Sequence, residues 1–208
     1  YYYKNNIGKI PIDKLKEEFS ILIQHPIFSK KMNFTNLISE IFYELTFANF
    51  HHVNREYNLE RNFLKKVIEI YENNSNYCFE NPLDYVSIYM RLINLSKKEA
   101  KEIFYEKLNH LRSFESYIDI QKDVVKERIF ILTHQAEIEF LLTHKMYKEY
   151  EKVFKNIEEN DLKFMYSIEP YYQMSLHYLL ATILCINGDF KNGLKYINTI
   201  LNEFKFED

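Results

Sequence analysis

The sequence predicts an all-α protein built from antiparallel helical hairpins stacked side by side as an α-α superhelix. Three observations predict it. Only 3 Gly and 4 Pro occur in 208 residues, too little punctuation for the many tight reversals of a sandwich or barrel. Apolar residues recur at spacings of three and four through most windows, the period of a helix face. A hydrophobic content of 47% in a chain of this length supplies one core, so a single helical-repeat domain over 1–208 is expected. Position 1 is Tyr rather than Met, which implies a processed chain or part of a longer one.

The first helix is expected to open at Pro11, since proline suits a helix's first turn. It carries Leu15, Phe19 and Leu22 on one face and stops at His25-Pro26. A longer helix runs from about Thr35 to His52 on a stripe of Leu37, Ile41, Leu45 and Ala48. A third spans about Leu59 to Tyr71 with Phe63, Val67 and Ile70, and the Asn-rich stretch 73–76 closes it. Pro82 opens a fourth, bearing Val86, Tyr89, Met90 and Ile93. Ser96 with Glu99 three residues later has the spacing of a capping box for the fifth, which continues through Phe104, Leu108 and Leu111. The longest window, about Asp119 to Thr143, buries Val125, Ile129, Leu132 and Leu141, and another helix follows from Tyr147 to Glu159. After Pro170, Leu176, Leu179, Leu180, Ile183 and Leu184 lead to Asn187-Gly188, where glycine can take the left-handed conformation that ends a helix. In the last helix, Asp189 to Phe204, one stripe (Phe190, Leu194, Ile197, Leu201, Phe204) is expected to pack on a partner helix. Tyr196 and Ile200 lie off it and are expected to face a further repeat or a second copy.

The second helices of the last two hairpins align at an offset of 43 residues, Lys152 to Ile157 falling on Lys195 to Ile200, as stacked hairpins sharing a continuous core would. Within 177–201, Leu180-Ala181 is a large-then-small pair, Gly188-Asp189-Phe190 a turn, and Leu194, Ile197 and Ile200 continue the second helix. This segment resembles a tetratricopeptide repeat, with Gly193 where that family prefers alanine and His177 in place of an early aromatic. The preceding pair keeps Tyr147, Phe154 and Ile157, but Lys145 stands at the usual glycine position. The resemblance implies a concave groove lined by the first helix of each pair. The positions it carries over are Gln135, Glu139, Tyr178 and Thr182, with Arg91 extending the surface. By spacing alone, His134, Gln135, Glu137 and Glu139 read as a solvated face interrupting an apolar helix.

Cys78 and Cys185 belong to no C-x-x-C pair, and no H-E-x-x-H or G-x-S-x-G arrangement occurs. Glycines 188 and 193 have phosphate-loop spacing, yet Leu194 occupies the required lysine position. No catalytic, cofactor or metal residues are therefore assigned. The 18 Tyr and 17 Phe, with no Trp, accompany an excess of Asn, Lys and Ile as A/T-rich codon usage would produce, so single aromatics carry no binding signal. A net charge of −3 with interspersed signs argues against direct nucleic-acid binding by this segment. No apolar run reaches the length of a membrane span, and unpaired cysteines fit a cytoplasmic setting. The expected function is a scaffold holding a protein or peptide. The alternatives are the peptide-sensing half of a transcription regulator whose helix-turn-helix lies upstream, and an enzyme or metal protein whose site only the fold would reveal.

Overall fold

The computed structural model describes residues 11–29, 34, 36–118, 123–164 and 170–203. The described residues are all-helical, without a strand, and fall into two compact units, Tyr1–Leu95 and Ser96–Asp208. No helix among them is long and apolar enough to cross a membrane.

The first unit contains α1 (Ile12–Gln24), a single turn α2 (Pro26–Ser29), α3 (Leu37–Val53), α4 (Tyr57–Asn73), the short α5 (Ser75–Glu80) and α6 (Pro82–Leu95). Pro11 and His25 bound α1 as expected: His25 is extended, the conformation that a following proline imposes. Asn36 caps α3 by accepting a 2.8 Å hydrogen bond from Ile38 N. The Asn-rich stretch 73–76 does interrupt the chain, but only at Asn74; helix resumes at Ser75 and buries Cys78. α1 packs on α3, α3 on α4 and α4 on α6. Leu15 and Phe19 meet Val53 in a small core, and Phe47 stacks on Phe63 across the hairpin at 5.2 Å.

The second unit contains α7 (Lys101–Phe114), a 3₁₀ turn (Glu115–Tyr117), α8 (Asp123–Thr143), a second 3₁₀ turn (Tyr147–Glu149), α9 (Tyr150–Phe164), α10 (Pro170–Ile186) and α11 (Phe190–Glu203). The expected start of α8 at Asp119 lies outside the described residues. Ser96 and Glu99 form a turn, Glu99 N donating to Ser96 O at 2.9 Å, and α7 begins only at Lys101 behind Ala100. The capping-box spacing is thus used as a reverse turn. α8 is the hub of the unit: α7, α9 and α10 all pack on it. Phe104 of α7 stacks on Phe140 of α8 at 4.1 Å with both rings buried.

Three helix ends share one geometry. Arg55, Lys145 and Gly188 each have a positive φ, at 62°, 56° and 82°. In each case that residue's N–H bonds the carbonyl three back, and the next N–H bonds the carbonyl five back (Glu56 to His51, Met146 to Leu141, Asp189 to Leu184). This is the left-handed helix stop in which two orphan carbonyls find donors. It closes the α3–α4, α8–α9 and α10–α11 hairpins, with glycine at one and long basic side chains at two.

The register of α11 reverses the expectation for its two stripes. Ile200 is only 8% exposed and Tyr196 packs edge-on against Phe154 and near His177, whereas Phe190 (62%), Leu194 and Leu201 are exposed. The cause is Gly193. A Cβ there would sit 2.8 Å from Cys185 Sγ and 3.2 Å from the Ala181 carbonyl. α10 therefore approaches α11 at that point, and residues 196 and 200, three and seven further on, are turned inward with it.

Candidate functional site

The polar residues of α8 divide by face. Because α8 has helices on three sides, His134 and Glu137 are buried rather than solvated, which corrects the reading of this group as a solvated face. His134 Nδ1 donates to the Phe130 carbonyl at 2.7 Å, and its Nε2 accepts from Asn156 Nδ2 of α9 at 2.9 Å. That pattern holds the neutral imidazole. Burial, aided by the Arg112 charge, depresses the ring's pKa to about 4. Glu137 accepts from Arg112 Nη2 at 2.6 Å, while Arg112 Nε bonds Thr133 Oγ1. Burial and the Glu137 carboxylate raise the Tyr105 phenol well above its ordinary value, so it serves as a donor.

Gln135 and Glu139 point away from that network, since two residues of helix amount to about 200°. Gln135 Nε2 reaches Glu139 Oε1 at 3.3 Å, and Glu139 also pairs with Lys97. On α10, Tyr178 is 59% exposed and Thr182, one turn on, donates its hydroxyl to the Tyr178 carbonyl at 2.8 Å. Thr182 also lines an open, largely apolar pocket of about 330 Å³ with Ala181, Cys185, Ile186 and Ile197. The structure thus brings α8 and α10 together and keeps each predicted pair on its own helix.

Arg91 lies in the other unit and does different work. Its guanidinium donates to Glu60 Oε1 (2.5 Å), Asn49 Oδ1 (2.6 Å) and the Ala48 carbonyl (3.1 Å), tying α6 to α4 and α3. Glu60 is 0% exposed and is also bonded by His52 Nδ1. Burial pushes the Glu60 carboxyl up, but the hydrogen bonds and charges of His52 and Arg91 outweigh it and hold the group below its usual range. These donors are directed into the first unit.

A feature absent from the sequence reading is a cleft of about 910 Å³ in the second unit, between α7 and the start of α9, with Glu137 of α8 among its lining residues. Lys101 Nζ crosses to Glu149 at 2.7 Å at one end. Its residues come from segments about 40 apart, each of which reads as an ordinary amphipathic surface, so only packing on α8 assembles them. The one legible sign was the run of lysines at 148, 152 and 155, all on one face of a helix.

Among the described residues no group of three or more His, Cys, Asp or Glu has the arrangement to hold a metal ion. Cys78 is buried, which pushes its thiol up to about 11 and keeps it protonated. No family model matches the chain, and no curated protein or solved structure matches it either.

Proposed function

We propose that the chain is a partner-binding helical scaffold of tetratricopeptide-like construction that holds a protein or peptide along the faces of α8 and α10 bearing Gln135, Glu139, Tyr178 and Thr182. The observation that carries the reading is the exposed strip on α10. Tyr178 and Ile186 stand in solvent at either end of Thr182, beside the pocket that Ile197 closes, and apolar area left open in this way is where a partner gains most from burial. Glu139 and Gln135 supply the polar border that fixes orientation. The repeat-like construction is supported by the three hairpins that stop in one geometry and by the 43-residue spacing of Lys145 and Gly188. A preformed helical face also needs little ordering when it binds. Two unpaired thiols support a reducing, cytoplasmic setting.

The test is affinity for a partner recovered from native cell extract, measured by titration with purified chain. Tyr178→Ala and Glu139→Lys each weaken binding about tenfold or more, the effect of removing an interface anchor. Unchanged affinity in both variants would remove the groove.

A further inference from the structure

The cleft of the second unit carries a binding assignment independent of the groove, on the opposite side of α8 from Gln135 and Glu139. Five cations line it, Lys101, Arg112, Lys148, Lys152 and Lys155, against two carboxylates, Glu137 and Glu149. The excess is +3 in a chain whose net charge is −3. Lys101 and Arg112 are held by those two carboxylates. Lys148, Lys152 and Lys155 are exposed and have no ion-pair partner among the described residues. They follow one another at four and three residues on one face of the 3₁₀ turn and the first turns of α9, where their like charges concentrate. The Lys101–Glu149 pair places the first turns of α7 and α9 at the same end, so the positive ends of two helix dipoles add to the field.

We infer that this cleft is a docking site for an acidic, extended peptide segment of a partner protein, with Lys148, Lys152 and Lys155 meeting its carboxylates. Asn109 on the α7 wall is exposed and offers an amide that can both donate to and accept from a peptide backbone. The volume is that of a site for a short segment. Nucleic acid fits worse: the three lysines span only about 10 Å of chain, and non-specific binding draws on many more phosphate contacts.

The experiment is fluorescence anisotropy on the full chain with a labelled octapeptide of alternating Glu and Ser, beside its Gln-for-Glu counterpart and a single-stranded oligonucleotide of equal charge. Saturable binding of the acidic peptide alone is expected, weakening as ionic strength rises from about 50 to roughly 300 mM. Lys152→Glu combined with Lys155→Glu weakens it about tenfold or more, while Lys191→Glu on α11 leaves it unchanged. Both replaced lysines are exposed, so the variant keeps its helical circular dichroism, which is checked alongside. No saturable binding, equal binding by the double variant, or tighter binding of the oligonucleotide overturns the inference.

Discussion

His134 shows how a single buried ring writes a pH dependence into the molecule. Its folded pKa, about 4, lies below the ordinary value near 6.5. Above pH 6.5 both folded and unfolded rings are neutral and the site contributes no pH dependence. As pH falls below 6.5 the unfolded ring takes a proton that the folded one refuses, so stability drops until pH 4. Between pH 7 and pH 5 this amounts to about 2 kcal/mol. Urea denaturation of wild type and His134→Leu at the two pH values is expected to show a difference smaller by about that amount in the variant; an unaltered difference would mean that the ring is solvated. Glu60 acts in a lower window. Its depressed pKa gives stability that is present above about pH 4 and is lost as pH falls through the folded value.

Helix by helix, the pattern of apolar spacing located the long elements among the described residues, because periodicity responds to burial of a face and that is what α1, α4 and α7 do. It failed where burial is not one-sided. α8 is surrounded, so its polar residues carried no information about which way they point until Arg112 and Asn156 were placed beside them. In α11 two stripes were equally legible, and the deciding signal was Gly193. A glycine in a helix interior marks close approach, and reading it so would have put Tyr196 and Ile200 inward. Gly193→Ala is expected to force α10 and α11 apart and cost about 1–3 kcal/mol, measured as a lowered urea midpoint; a neutral result would mean that the helices do not meet there. The turns make the opposite prediction. Lys145 holds a left-handed conformation that a side chain disfavours by about 1 kcal/mol, so Lys145→Gly raises stability by up to that amount if φ is positive, and lowers it if the residue is helical.

At the scale of the molecule, Gln135 and Glu139 lie on the opposite side of α8, the hub of the second unit, from the lysine cleft. Gln135, Glu139, Tyr178 and Thr182 were singled out through the repeat resemblance rather than by spacing; the cleft gave no such signal, because α7 and α9 reach it only through their separate packing on α8. Phe140 on Phe104 and Arg112 on Glu137 hold α7 against α8. The exposed strip of α10 is the face along which a partner is proposed to lie. Replacing Tyr178 with a photo-crosslinking phenylalanine, irradiating in native extract and sequencing the adduct tests it most directly. One recurrent partner segment is expected at position 178 and none from the same replacement at Tyr117, exposed in the 3₁₀ turn after α7. Trapping of that segment from position 117, with no adduct at 178, would contradict it.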